Sequence, residues 1–174
     1  MYPMSPLEKA ELDVFIQENL TSGCIRPSKL PMASPVFFIK KKEGSLQLIQ
    51  DYRRLNAMTI KNRYPLPLIP ELINHLRGAK YFTKLDVRWG YNNVWIKDGD
   101  EWKAAFQTNR GLFELLVMFF GLTNSPATFQ TMMNDIFQDL IMEGVVCVYI
   151  DDILIYSKDR AKHRRVTRQV LEWL

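Results

Sequence analysis

The sequence lacks the cysteine, histidine and glycine patterns on which many enzyme classes depend. Its two cysteines, Cys24 and Cys147, lie far apart without metal-ligand spacing, and its only histidines are His75 and His163. No Gly-x-Ser-x-Gly motif or Cys/His arrangement supports a serine or cysteine nucleophile. No Gly-x-x-x-x-Gly-Lys-Ser/Thr loop supports a P-loop nucleotide hydrolase. These absences disfavour zinc sites, covalent hydrolases and P-loop enzymes.

Long hydrophobic runs are missing too. The sequence contains no run of about 18 apolar residues, no signal peptide and no low-complexity tract. We therefore expect no membrane span and no secretion, and reduced cysteines in an intracellular protein.

The basic residues are concentrated in blocks along the sequence. The chain has 174 residues, 47% of them hydrophobic, which is enough for a buried core, and a net charge of +4. The basic blocks are Lys40–Lys42, Arg53–Arg54, Lys61 with Arg63, and six Lys or Arg from Lys158 to Arg168. Such blocks are typical of contacts with phosphates, and a solvated surface is the alternative.

Two adjacent carboxylates, Asp151 and Asp152, stand between two apolar, β-branched runs. The runs predict two short buried strands joined by a tight turn, where aspartate tolerates unusual backbone angles. An ordinary hairpin turn remains the alternative. A third carboxylate, Asp86, is the last residue of a predicted strand, Tyr81–Asp86, and strand ends often present functional groups.

Three carboxylates favour hard, oxygen-ligated cations, magnesium or manganese. Metal-assisted phosphoryl transfer is the chemistry that remains, with two cations about 4 Å apart bridged by aspartates. The sequence does not show that Asp86 and Asp151 are close in space.

Other patterns predict the supporting elements. Ser5–Glu8 forms a capping box that opens a helix ending before Gly23. Two hairpins are predicted, one from Val36–Ile39 and Leu46–Ile49 with lysines near its tip, and one from Lys103–Thr108 and Leu112–Val117.

A helix is predicted to begin at Ser125, with apolar residues on one face and polar residues, including Gln130, on the other. A basic helix is predicted after the acidic hairpin, with Val166, Val170 and Trp173 on its apolar side.

Several blocks together resemble the reverse transcriptase of gypsy-class long-terminal-repeat retrotransposons. The blocks are Asp51–Asn56, Leu85–Arg88, Tyr91–Asn92, Phe120–Gln130 and Tyr149–Asp152. The likeness runs in family order from Tyr2 to Leu174.

The resemblance implies an α+β fold: a right-hand polymerase palm, mostly antiparallel sheet backed by helices, with interleaved fingers. It implies fingers at 1–60 and 94–124 and palm at 61–93 and 125–174. It also implies that the thumb is absent, together with the connection and ribonuclease H regions of a parent polyprotein.

The resemblance further implies RNA-directed DNA polymerase activity with two Mg²⁺ or Mn²⁺ ions, on an RNA or DNA template with a primer and a deoxynucleoside triphosphate. No membrane is implied, and the expected location is a cytoplasmic particle or the nucleus. The implied catalytic residues are Asp86, Asp151 and Asp152, of which Asp86 and Asp151 are the metal ligands. The other implied site residues are Lys41, Gln47, Tyr91 and Phe120 at the nucleotide, and Arg53 and Tyr149 at the template or primer.

Five positions depart from the family pattern. Gln47 replaces an arginine expected at the triphosphate, and Trp89 replaces a small residue and is expected to crowd the pocket. The others are Phe119, which removes a proline, Gln50, where an apolar residue is expected, and Val166, where a histidine is frequent. An inactive retroelement relic that binds nucleic acid is therefore the alternative function. A metal phosphatase is a third class, disfavoured because it would leave the fingertip lysines and aromatic gate without a role.

Overall fold

The computed structural model describes residues 2–29 and 32–174. Its helices and strands are, in chain order, α1 Pro6–Thr21, β1 Ile25–Pro27, β2 Ser34–Lys40, β3 Leu46–Gln50, α2 Arg53–Met58, α3 Ile69–His75, β4 Tyr81–Asp86, β5 Phe106–Thr108, β6 Gly111–Leu115, α4 Ser125–Ile136, α5 Gln138–Met142, β7 Val146–Tyr149, β8 Asp152–Ser157 and α6 Arg160–Trp173. Single 3₁₀ turns lie at Gly90–Asn93 and Glu101–Ala104.

The chain divides into two compact units, each made of two separate segments. Unit 1 comprises Met1–Lys61 and Tyr91–Ser125, and unit 2 comprises Asn62–Gly90 and Pro126–Leu174. Each unit contains its own sheet.

Unit 1 is built on a five-stranded sheet in the order β1-β6-β5-β2-β3. Only the β2–β5 pair is parallel, and the other pairs are antiparallel. Helix α1 contributes Leu12 and Ile16 to the core, where they join strand residues such as Val36, Phe106 and Leu115. The predicted capping box is confirmed, since Ser5 and Glu8 bond each other's backbone N–H groups.

The first predicted hairpin is confirmed, and the second is shorter than predicted. β2 and β3 pair in register from Val36 with Gln50 to Lys40 with Leu46. β5 begins only at Phe106, because the chain before it is coiled into the 3₁₀ turn, in which the Lys103 N–H bonds the Asp100 carbonyl.

Unit 2 is built on an antiparallel sheet in the order β4-β8-β7. The predicted strand Tyr81–Asp86 and the hairpin around the acidic pair are confirmed. One face of the sheet carries buried Val148, Ile153 and Ile155. Helix α6 packs on this face, since His163 Nε2 lies 2.8 Å from Thr83 Oγ1. Because side chains alternate along a strand, Asp86 and Asp152 lie on the opposite face.

The helix predicted from Ser125 is interrupted at Phe137, where α4 gives way to α5. Phe129 and Met133 are buried as predicted, but the prediction for Gln130 is wrong. This side chain is fully buried, because it bonds backbone groups of β7 and the following turn.

No helix in the described parts of the chain combines the length and apolar character needed to cross a membrane.

Candidate active site

Three aspartates meet at one end of the sheet of unit 2. Asp86, the last residue of β4, is the register partner of Asp152, the first residue of β8. Asp151 precedes Asp152, and its carbonyl oxygen accepts a 2.9 Å hydrogen bond from the Val87 N–H. The fold thus brings together three carboxylates whose proximity the sequence pattern alone left open.

The turn between β7 and β8 differs from the predicted one by a residue. Tyr149 pairs with Asp152, so the two turn residues are Ile150 and Asp151. Ile150 has a φ of 55°, a left-handed conformation that is unfavourable for a β-branched side chain. The unusual backbone angle therefore falls on isoleucine and not on aspartate.

Gln130 of α4 holds this turn in place. Its Oε1 accepts a 2.7 Å hydrogen bond from the Ile150 N–H. Its Nε2 donates to the Val148 carbonyl at 3.2 Å and to Asn134 Oδ1 at 2.9 Å. Sequence reasoning missed this role, although Gln130 ends one of the blocks on which the family resemblance rests.

One oxygen of Asp151 is buried without a partner. Within the described residues Oδ1 has no hydrogen-bond partner and almost no contact with solvent. Burial raises the pKa of Asp151 above its usual range, and the nearby charges of Asp86 and Asp152 raise it further. A carboxylate with an open lone pair beside like charges is suited to receive a cation.

Gly90 allows the chain to pass close to Asp151. A Cβ placed on Gly90 would lie 2.7 Å from Phe129 Cζ and 3.2 Å from Asp151 Oδ1. Any side chain here would therefore displace the phenylalanine ring or the carboxylate.

Two of the three carboxylates remain open to a metal ion. Asp152 Oδ1 forms a 3.0 Å ion pair with Lys84 Nζ, a contact that sequence reasoning did not anticipate. Among the described residues no group of three or more His, Cys, Asp or Glu side chains is arranged to hold a metal ion. In the described part of the chain Asp86 and Asp151 form no ion pair, so their carboxylate oxygens could accept a cation.

Tyr149 ends β7 opposite Asp152, so both side chains project from the same face of the sheet. It is half-buried. The residue predicted at the template or primer therefore shares a surface with the acidic group.

In unit 1, Lys41 and Gln47 belong to the β2–β3 hairpin. Lys41 opens the turn, with its N–H bonded to the Ser45 carbonyl at 2.8 Å. Gln47 pairs with Ile39, which places its side chain on the face of Phe37. The hairpin tip carries exposed lysines, as predicted.

Tyr91 and Phe120, both predicted at the nucleotide, lie against each other. Their ring centroids are 4.8 Å apart at an interplanar angle of 73°, an edge-to-face contact. Tyr91 is buried, whereas Phe120 is 56% exposed. The pair presents one accessible ring backed by a fixed one.

Arg53 borders a groove of about 560 Å³ in unit 1. Its guanidinium binds both carboxylate oxygens of Asp51, at 2.8 and 2.7 Å. These bonds hold the pKa of Asp51 well below its usual range. Tyr2 adds a bond to Asp51 and an edge contact with Phe37, with ring centroids 5.5 Å apart. The groove therefore combines two aromatic rings with an oriented cation.

Asn56, which belongs to the same block as Arg53, braces the chain next to Phe120. Its Nδ2 donates to the Gly121 carbonyl at 2.7 Å, and its Oδ1 accepts from the Thr123 N–H at 2.9 Å. Gly121 has a φ of 100°, which only glycine adopts without strain. These bonds thus join the block Asp51–Asn56 to the block Phe120–Gln130, two of the blocks on which the family resemblance rests.

The departures from the family pattern fall into different environments. Trp89 is 77% exposed with a φ of 57°. Phe119 packs in the core of unit 1 against Phe15, and Gln50 is also buried there. Val166 is fully buried in unit 2. Three of the changed positions are thus buried, and Trp89 is exposed.

Residues 39–174 match the family model described as reverse transcriptase (RNA-dependent DNA polymerase). The chain belongs to this reverse transcriptase family. The predicted resemblance and the α+β fold class are confirmed.

Two relatives of this reverse transcriptase domain are retrotransposon polyproteins of Schizosaccharomyces pombe. The Transposon Tf2-3 and Tf2-7 polyproteins are 43% and 42% identical to it over 173 residues. The match covers 99% of this chain and 13% of each polyprotein.

Solved reverse transcriptases share its fold. The foamy viral protease-reverse transcriptase in complex with an RNA/DNA hybrid superposes with a TM-score of 0.89 at 21% identity, covering 99% of this chain and 23% of that one. The native protease-reverse transcriptase of Prototype Foamy Virus gives a TM-score of 0.85 at 27% identity, with the same coverage.

Proposed function

We propose that this chain is the fingers and palm portion of an RNA-directed DNA polymerase. It transfers a nucleotide from a deoxynucleoside triphosphate to a primer 3′-hydroxyl and releases pyrophosphate. The observation that carries the proposal is the acidic group of unit 2, where the buried Oδ1 of Asp151 is left unpartnered beside Asp86. Family membership supports it.

Asp86 and Asp151 fit a site for two Mg²⁺ or Mn²⁺ ions, because an anionic oxygen buried without a partner is stabilised by a cation. When bound, such ions supply activation of the attacking hydroxyl and neutralisation of the triphosphate and leaving group. The Lys84 ion pair holds the carboxylate of Asp152 beside this site and offsets part of its negative charge.

Under this proposal unit 2 is the palm and unit 1 is the fingers. The nucleotide residues are Lys41 and Gln47 of the hairpin, with Tyr91 and Phe120 as an aromatic pair. Tyr91 acts as the gate that excludes a ribose 2′-hydroxyl. Its edge contact with Phe120 fixes the ring, which steric exclusion requires.

Template and primer lie at Arg53 and Tyr149. The groove beside Arg53 suits a template nucleotide, since its exposed Tyr2 ring and half-buried Phe37 ring can contact a base and its guanidinium can meet a phosphate. The two hydrogen bonds to the Asp51 carboxylate orient the Arg53 guanidinium.

The partners of the proposed enzyme are an RNA or DNA template with its primer and a deoxynucleoside triphosphate. Foamy viral relatives of this fold were solved with an RNA/DNA hybrid and with double-stranded DNA. Because the chain spans 13% of its polyprotein relatives, thumb, connection and ribonuclease H regions are assigned to the remainder of such a polyprotein. The proposed location is an intracellular particle or the nucleus.

The test is magnesium-dependent primer extension on an RNA template by this chain within its full-length polyprotein. Asp151→Asn is compared with Asp139→Asn, an exposed aspartate of unit 2. We expect the first variant to lose at least about 100-fold in rate and the second to keep its rate, because only the first removes an oxygen from the acidic group. Equal rates for both variants would contradict the proposal.

An inactive relic that binds nucleic acid is the second candidate, favoured by the missing positive charge at Gln47. The same assay separates the two functions. Binding of a primed template without any nucleotide addition by the unmutated polyprotein would establish the relic.

A further inference from the structure

The basic block from Lys158 to Arg168 has no role in the proposed polymerase site. It lies mainly on helix α6, which covers the sheet face opposite Asp86 and Asp152. Residues 158–174 contain six Lys or Arg and two Asp or Glu, a net charge of +4. The whole chain also has a net charge of +4, so the other residues balance to zero. The excess positive charge of the protein is therefore concentrated on this one segment.

The arginines of α6 form a row along its outer side. Val166 and Val170 are fully buried against unit 2, whereas Arg160, Arg164 and Arg168 are exposed. Residues four apart lie on one side of a helix, about 6 Å from each other along its axis. The row from Arg160 to Arg168 spans about 12 Å, a length over which one strand of a duplex carries about three to four phosphates.

Most of this charge is not neutralised by the protein. Glu143 forms ion pairs with Lys162 at 3.0 Å and Arg165 at 3.8 Å. Among the described residues, Arg160, Arg164 and Arg168 form no ion pair. A groove of about 500 Å³ on the surface of the helix is lined by Arg164, Arg165, Arg168, Gln169 and Glu172, so three cations face one carboxylate. An uncompensated row of guanidinium groups beside a groove complements a linear polyanion.

We propose that the outer side of α6 is a second nucleic-acid-binding surface, which holds the sugar-phosphate backbone of a template or product strand independently of sequence. Binding comes mainly from release of counterions, because guanidinium groups aimed at phosphates carry no base readout. The surface goes beyond the proposed polymerase site and does not depend on catalysis.

The test compares two triple variants with the same net charge. Arg160→Gln, Arg164→Gln and Arg168→Gln together remove the row, and Lys9→Gln, Lys29→Gln and Lys97→Gln together remove three exposed charges of unit 1. Binding of a 40-nucleotide RNA is measured by fluorescence anisotropy between about 50 and 200 mM salt. We expect the row variant to lower the slope of log K against log salt by about 2 and to weaken binding at least tenfold at the lowest salt. The control should change the slope by less than about 0.5, since its charges are scattered.

Crosslinking locates the strand directly. RNA containing 4-thiouridine is crosslinked to the unmutated chain, and the attached peptides are identified by mass spectrometry. Crosslinks within residues 158–174 are expected, and crosslinks confined to unit 1 would overturn the proposal. Equal effects of the two triple variants on RNA binding would also overturn the proposal. Stronger binding of the unmutated chain to vesicles containing about 30% phosphatidylserine than to RNA would overturn it too. Primer extension on a short template should be unchanged in the row variant, which separates failure of this surface from failure of the polymerase proposal.

Discussion

Replacement of Gln130 by methionine tests whether the buried amide holds the turn at Ile150 and Asp151. Methionine keeps nearly the same length and volume, so packing in α4 is retained. The variant loses three hydrogen bonds, one from the Ile150 N–H and one each to the Val148 carbonyl and Asn134 Oδ1. We expect a lower free energy of unfolding and a lower polymerase rate.

The magnitude follows from these contacts. Each lost hydrogen bond costs about 1 kcal/mol, and the part-buried Ile150 N–H, left without a partner, adds about 1 kcal/mol. Ile150 then loses the partner that stabilises its left-handed backbone, whose strain is of order 1 to 3 kcal/mol. The three lost bonds and the unpartnered N–H sum to about 4 kcal/mol. A displacement of Asp151 by about 1 Å would cost roughly 100-fold in rate.

The assay combines amide hydrogen exchange with primer extension in the full-length polyprotein. Exchange at Ile150 should accelerate, while Ile153 and Ile155 in the interior of β8 keep their protection. Thr131→Ala is the matched control on the same helix, since its hydroxyl bonds only the Ala127 carbonyl one turn earlier. Unchanged Ile150 exchange together with a rate within twofold of the unmutated enzyme would refute the role given to Gln130.

Three further predictions concern the same sites. Asp151→Asn should raise the free energy of unfolding at neutral pH by about 0.5 to 2 kcal/mol while abolishing activity. The pKa of Asp151 is raised in the folded state, so the unmutated protein loses stability as the pH rises through that pKa. The stability gain of the Asn variant should therefore vanish in acid, and urea titrations at several pH values would show this. Gly90→Ala should destabilise by about 1 to 3 kcal/mol and slow primer extension, because its Cβ would press on Phe129 and Asp151; normal stability and rate would contradict this packing. Gln47→Arg should lower the KM for nucleotide roughly fivefold with little change in kcat, because it adds a cation on the Lys41 hairpin; an unchanged KM would count against the placement of the triphosphate there.

Local patterns in the sequence predicted those elements whose stability depends on nearby residues. The strand Tyr81–Asp86 and the capping box at Ser5 have signals within a few residues, and both were confirmed. The short strand β1, Ile25–Pro27, was missed because it exists only through its pairing with β6. The burial of Gln130 was missed for a similar reason, since its partner Ile150 lies 20 residues away and presents a backbone group that no side-chain pattern reveals.

The departures from the family pattern and the residues that hold the turn at Asp151 lie at different positions. The framework at Asp151 is held by a buried amide, a glycine without room for a Cβ and a backbone bond to Val87. Of the departures, Gln47 and Trp89 are not fully buried, and changes at such positions have little effect on folding. If catalysis is reduced in this chain, we therefore expect weaker nucleotide binding with an intact acidic group, a defect seen in KM before kcat. An inactive relic would instead be expected to carry changes at buried positions around Asp151, such as Gln130 and Gly90. Gln130 keeps its bond to the Ile150 N–H, and at Gly90 no side chain presses on Asp151.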